Sequence, residues 1–232
     1  MGQEKKAELT RRSMIAGTAA AAATAMTSSA GAAEPTRRRR SRPVKTYKSA
    51  DFYDSNGEFL IEKAREAYYD MFRRFHYPIS EKLQAEMWIM DFGLGDFAEV
   101  GMAGIFWLNR QDYKYFGHEI YLLPGQMIPE HNHLPTDKGA AKMESWHPRK
   151  GMIYTFGEGD PTPEYRKKIP ASQRDIVKSV RCQPLGIDEL ADLNRLEAWH
   201  FMVGGPEGAI VTEYGTFHDM DGLRFSNPKA TL

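Results

Sequence analysis

After Asp91 the apolar residues of this chain come in short runs cut by turn residues, and that pattern limits the fold more than any other feature. The runs cover residues 101–108, 119–123, 151–156, 200–203 and 209–214. Pro124-Gly125 and Gly204-Gly205-Pro206-Glu207-Gly208 punctuate them, the second reading as a turn between two strands. Several short runs with intervening turns predict an antiparallel sandwich or barrel. Before Asp91 the period differs. Leu60, Ala64, Ala67, Tyr68, Met71, Phe72 and Phe75 fall at helical spacing, so a helix is predicted over 59–75, bracketed by Asn56-Gly57 and Pro78. A second short helix is predicted over 81–87. Residues 157–192 carry four prolines and little alternation, and read as a loop with one irregular hairpin. The expectation is a mainly β domain with N-terminal helices.

The chain has 232 residues, 41% hydrophobic, enough for one domain with a sizeable core. Its net charge is zero, which gives no electrostatic case for nucleic acid. A single cysteine, Cys182, rules out an intrachain disulfide. Residues 1–33 read as an export signal. Lys5 and Lys6 precede Arg11-Arg12, an alanine-rich stretch follows, and Ala30-Gly31-Ala32 offers small residues for cleavage. The arginine pair resembles a twin-arginine (Tat) signal, which carries folded proteins to the periplasm or outside. Without those residues, 27 basic side chains face 29 acidic ones. Residues 34–58, with the run Arg37-Arg38-Arg39-Arg40, read as a basic linker, and 59–232 as the domain. No stable membrane span is expected.

His131 and His133 lie one residue apart. On a strand, alternate residues share a face, so both imidazoles reach one ion. Imidazole with carboxylate suits Mn²⁺, Fe²⁺ or Zn²⁺. Gly125, five residues, His131, one residue and His133 match the opening of the first motif of the cupins, double-stranded β-helix (jelly-roll) barrels. The Glu of that motif would be Glu144, delayed by a ten-residue insert, and the six-residue gap from Glu144 to Gly151 is kept. His200 is the candidate fourth ligand, from a distant strand. His147 is a candidate alternative ligand, with a second-layer or surface role favoured; His218 is placed to touch substrate, and His76 and His118 read as structural. Of the tryptophans, Trp146 and Trp199 are candidates for lining a sugar pocket, and Trp88 and Trp107 read as core.

From about Phe59 to Pro228 the chain resembles the D-lyxose ketol-isomerases, cupin enzymes that interconvert D-lyxose with D-xylulose and D-mannose with D-fructose. Asp91-Phe92-Gly93-Leu94-Gly95-Asp96-Phe97 is similar to the family's D-F-G-x-G-D-F. Residues 125–133 are similar to its G-Q-x-T-P-x-H-x-H, and Lys142-Met143-Glu144 to its K-M-E. Residues 212–219 resemble its G-E-V-S-x-V-N-D segment, and Arg224-Phe225 its closing R-F.

The resemblance implies a metal, Mn²⁺ first, held by His131, His133, Glu144 and His200. It implies Glu213 as the acid–base residue and Lys142 on a substrate oxygen. Arg224, with Asp219 or Asp221, would fix the sugar or its loop. The reaction implied is aldose–ketose isomerisation through a cis-enediol, with a small sugar as partner and a homodimer as assembly. A cupin oxygenase and a non-catalytic sugar-binding cupin are the alternatives.

Overall fold

A computed structural model describes residues 43–232; the export-signal reading and the first part of the linker lie outside the described residues. Two helices, α1 (Ile61–Phe75) and α2 (Glu81–Glu86), precede nine strands. These are β1 (Trp88–Met90), β2 (Met102–Arg110), β3 (Tyr115–Leu122), β4 (His131–His133), β5 (Glu144–Gly157), β6 (Arg181–Leu185), β7 (Ala191–Asp192), β8 (His200–Gly215) and β9 (Leu223–Phe225). All the strand pairs are antiparallel. The main path runs β1-β2-β3-β8-β4-β9, with β5 joining β8 to β6 and β7.

The helices form where the sequence places them. Helix α1 turns its apolar stripe, with Tyr68 and Phe72, onto one face of the sheet. It ends at His76, which takes the left-handed conformation (φ 53°) that closes many helices. Ser80 caps α2, its hydroxyl accepting from the Leu83 N–H at 3.2 Å. Strand β3 explains why its sequence does not alternate. Ile120 and Leu122 face the barrel interior, whereas Tyr121 and Leu123 pack beneath α1, so both faces are dry. Gln126, in the G-Q motif, is fully buried. It accepts from the Tyr68 hydroxyl (2.6 Å) and the Leu123 N–H (3.0 Å), and donates to the Phe97 carbonyl (2.6 Å). Its role is to pin the helix to the barrel.

Three sequence expectations need correction. Residues 43–58 are not wholly linker: Phe52 is buried and meets the Phe97 ring edge-on at 4.9 Å. Residues 157–192 hold a 3₁₀ turn (Pro163–Lys168), and β6 and β7 pair with β5 rather than with each other. The glycine-rich segment 204–208 is not a hairpin turn. Both arms of β8 pair with the same partner, β5, and one residue, Met152, stands opposite Gly205 to Gly208. The segment is a large bulge at which a two-stranded ribbon bends.

That bend builds the site. By register Glu144 lies beside Gly215, and Gly157 beside His200, at opposite ends of the ribbon. Extended, those ends would be roughly 40 Å apart. Instead His200 Nε2 and Glu144 Oε1 are 2.5 Å apart. Gly151 (φ +69°) and Gly208 (φ +77°) sit at the fold of the ribbon, and a Cβ on Gly151 would lie 2.0 Å from the Gly208 carbonyl oxygen. Only glycine allows the two backbones this approach.

Candidate metal centre and active-site cavity

Two rows of cross-strand neighbours carry the candidate residues. In one, Phe225 of β9, His131 of β4 and His200 of β8 stand side by side. In the other, Phe106 of β2, His118 of β3, Glu213 of β8 and Trp146 of β5 are paired in turn. Strand β8 therefore supplies His200 from one arm and Glu213 from the other. Strand β5 begins at Glu144, and the insert returns it to the sheet. Leu134 N–H donates to the Gly222 carbonyl (2.8 Å), Thr136 Oγ1 donates to Asp219 (2.6 Å) and Met143 N–H donates to Thr216 Oγ1 (2.9 Å).

His131, His133, Glu144 and His200 present one ligand atom each, all within 4.8 Å of one another. His131 Nδ1 lies 2.9 Å from the Pro129 carbonyl and His200 Nδ1 2.9 Å from that of Ala198. A ring nitrogen facing a carbonyl oxygen must carry the proton, which leaves the Nε2 lone pair of each ring for an ion. His133 Nε2, Glu144 Oε1 and His200 Nε2 are buried without hydrogen-bond partners. Buried polar atoms rarely go unpaired, and a shared divalent cation satisfies all three. Burial, with the neighbouring His200 and His133, holds His131 well below the usual imidazole range, and burial lowers His133. Burial opposes charge on His200 too, but Glu144 outweighs it and raises that ring. Burial works to raise Glu144, yet Lys142, His133 and His200 hold it well below the carboxylate range. His131 and His133 are thus held neutral and Glu144 ionised, the forms that ligate, and an ion would have to displace any proton that Glu144 holds on His200.

Lys142 lies beside this cluster, its Nζ 2.6 Å from Glu144 and in contact with Glu213. Both partners are buried, and although burial opposes its charge, the two carboxylates keep the lysine protonated and its pKa raised. The Phe116 ring covers the ammonium at 4.4 Å.

His118 Nδ1 is 3.6 Å from Glu213, too long for a hydrogen bond. The His118 ring stacks on Trp88 at 5.4 Å, and burial lowers its pKa. These groups line a cavity of about 190 Å³ together with His218, whose pKa burial and then Lys142 press down to about 2.

His131, His133, Glu144, His200, Lys142 and Glu213 come together as the sequence places them. Asp219, Asp221 and Arg224 do not line the cavity. Asp219 and Asp221 receive Thr136 and Lys138, and Arg224 is exposed, donating to the carbonyls of Asp221 and Leu223 at 2.7 Å each. The two aspartates tie the closing loop to the insert. His147 also stands apart, near Arg149. Trp88 lines the cavity, contrary to its reading as plain core, whereas Trp107 is 40% exposed. Trp146 and Trp199 do not line it: Trp146 backs His200 and Trp199 lies under Lys178. His118 was legible in principle, since Phe116, His118 and Ile120 alternate onto the inner face.

No protein-family model matches the chain. It is 27% identical over 172 residues to a D-lyxose/D-mannose isomerase of Thermosediminibacter oceani, covering 73% of this chain and 92% of that protein. It is 29% identical over 160 residues to a D-lyxose ketol-isomerase of a Thermofilum species, covering 68% and 86%. Among solved structures it superposes on the L-ribose isomerase of Cellulomonas parahominis with a TM-score of 0.58 at 16% identity, covering 78% of this chain and 96% of the other. The L-ribose isomerase of Acinetobacter sp. DL28 bound to L-ribose gives 0.57 at 17%, covering 78% and 95%. The chain has the cupin-type antiparallel β-barrel fold of the L-ribose isomerases, and its sequence is similar to D-lyxose ketol-isomerases over most of its length.

Proposed function

We propose that this chain is a divalent-metal aldose–ketose isomerase acting on sugars of the D-lyxose and D-mannose type. The observation that carries the reading is the buried Lys142–Glu213 pair sharing one cavity with His131, His133 and Glu144 of the four-ligand cluster. The likeness to the isomerases supports it. An ion on His131, His133, Glu144 and His200, which we take to be Mn²⁺, supplies a Lewis acid that polarises the carbonyl and favours negative charge on the two reacting oxygens.

The chain's own groups move the proton. Glu213 takes the C2 proton of the open-chain aldose and returns it to C1 on the same face, through an enediol of the substrate. Lys142 holds negative charge on O1 and carries the hydroxyl proton from O2 to O1, so the products balance. Glu213 works as a base only once its oxygen leaves Lys142, so substrate binding exchanges one ion pair for another. Phe116 covers the Lys142 ammonium and Trp88 stacks on His118, the cross-strand neighbour of Glu213, so apolar rings flank that exchange. An oxygenase reading leaves the Lys142–Glu213 pair without a task, and no observation favours it.

The test is ¹H NMR of D-lyxose and D-mannose in D₂O with metal-loaded protein. Loss of the C2–H signal that stops on chelation is the expected result; metal-replete protein without exchange would sink the reading. We also propose that residues 1–33 direct twin-arginine export, checked by whether the mature chain begins near Glu34.

A further inference from the structure

Glu213 works as a base only after Lys142 lets go of it, and that step leaves a buried carboxylate with its cation withdrawn. A buried carboxylate without a partner is costly. It would stay on Lys142 or take up a proton, and either way the base is lost. A second donor is needed at the moment of release. Lys142 reaches Oε1 of Glu213. His118 faces the other oxygen, its Nδ1 lying 3.6 Å from Oε2, a little beyond a hydrogen bond.

The His118 ring is buried and fixed on several sides. On β3 it stands opposite Glu213 of β8 and Phe106 of β2. Trp88 stacks on it at 5.4 Å, Phe106 meets it edge-on at 4.8 Å, and Phe116 lies at 5.5 Å. Gly104 pairs with Trp88 across strands, and a Cβ there would lie 2.3 Å from His118 Nε2 and 2.7 Å from the Trp88 ring. Glycine thus makes room for the stacked pair. His118 Nε2 is buried with no hydrogen-bond partner. A phenyl ring would fill this apolar box without that cost, so packing alone does not account for an imidazole. Nδ1 is the nitrogen that faces an acceptor, which puts the proton on Nδ1.

We propose that His118 is a positioning residue for Glu213. Its Nδ1–H takes Oε2 when Lys142 moves to the substrate, and Oε1 is left free and held toward the reacting carbons. This rests on the isomerase reading and adds a residue to it. A small turn of the carboxylate closes the gap to about 2.8 Å. His118 neither gains nor loses a proton, so the balance of the reaction is unchanged.

The test follows C2–H exchange of D-lyxose in D₂O by ¹H NMR, on the full Mn²⁺-loaded chain and on variants matched for Mn²⁺ content. His118→Phe keeps a ring in the box and removes the donor. It should slow exchange by roughly ten- to a hundredfold, the worth of one hydrogen bond to a charged group. His118→Asn, whose side-chain amide can stand where Nδ1 stood, should recover most of that loss. In a Glu213→Gln background, His118→Phe should change the residual exchange by less than about twofold, because nothing is left to position. A merely structural role would give the same loss in both backgrounds. The tautomer is read without turnover: ¹⁵N NMR of histidine-labelled, metal-free parent at about pH 8 should show the His118 proton on Nδ1. The signal is assigned by its loss in His118→Asn, so this arm stands even if His118→Phe does not fold. Parent-like exchange in His118→Phe, an equal loss with and without Glu213, no recovery in His118→Asn, or a proton on Nε2 would overturn the proposal. Metal-replete parent without exchange removes the isomerase reading and this role with it. Exchange in the parent that His118→Phe leaves intact removes the role of His118 alone.

Discussion

The two polar halves of the cavity differ in what they lack. The His131/His133/Glu144/His200 cluster holds buried nitrogen and oxygen atoms with no partner. Lys142 and Glu213 are already paired, and Lys142 also reaches the ligand Glu144 at 2.6 Å. The first half is complete only with something from outside, and its chemistry favours a cation. The second is complete until a substrate pulls it apart. One sheet makes both because the β5–β8 ribbon bends at Gly151 and Gly208 and brings its distant ends together.

Lys142→Met tests the contrast at its strongest. It leaves Glu144 and Glu213 buried and facing each other without a cation, and breaking a buried pair on one side costs about 3–5 kcal/mol. Urea unfolding of the metal-free variant should show that loss, and metal should restore part of it through Glu144. If Lys142→Met is as stable as the parent without metal, Lys142 is not what compensates the two buried carboxylates.

The pH dependence of the metal-free protein separates the halves next. Folding lowers the pKa of His131, His133, His118 and His218, each chiefly by burial. Below about pH 6.5 the unfolded chain binds protons at these rings that the native state refuses, so stability falls as pH falls. His200, raised by Glu144 against the pull of burial, has the opposite sign: its contribution is present below about 6.5 and lost as pH rises through its folded value. Glu144 contributes above the usual carboxylate range and loses that contribution only at strongly acid pH. Four rings outweigh one. A net loss of stability between pH 7.5 and 5.5 is expected, at most about 1.4 kcal/mol per ring. Equilibrium unfolding at the two pH values checks it, and bound metal should steepen the curve, because it keeps His200 unprotonated in the native state as well. A flat curve without metal would mean the rings are not held neutral.

Arg224→Ala should do least. Its guanidinium is exposed and bonds only backbone carbonyls of its own loop. A loss under about 1 kcal/mol, with exchange of D-lyxose within roughly threefold, is expected. A large drop in turnover would return Arg224 to the sugar site, where the family resemblance puts it.

The sequence made the ligand half legible because its signals are local. His131 and His133 share a strand face, and Lys142 and Glu144 share the next. Pairing Glu213 with Lys142 needed a resemblance, since 71 residues separate them. The wall was not legible: Met90, Met102 and Phe106 look like core residues in any pattern of apolar alternation, and only the closed barrel shows them facing a cavity. The 204–208 segment misled for a related reason. Gly-Gly-Pro-Glu-Gly is turn chemistry, and whether a chain reverses or merely bulges there depends on how long the partner strand is. Strand β5, at 14 residues, is long enough to pair with both arms. Asp219 and Arg224 have the residue types of a sugar site, but here Asp219 accepts from the Thr136 hydroxyl and Arg224 donates to carbonyls of its own loop.

The most direct test of the two-part site is a dissociation between two variants. Metal content and C2–H exchange of D-lyxose in D₂O would be measured for His131→Ala and Glu213→Gln side by side. The account predicts that His131→Ala loses both metal and exchange. Glu213→Gln should keep stoichiometric metal and lose exchange by roughly a hundred- to ten-thousandfold, the usual worth of a general base. Parent-like exchange in Glu213→Gln, or metal lost with it, would contradict the division of the cavity into a metal half and a proton-transfer half.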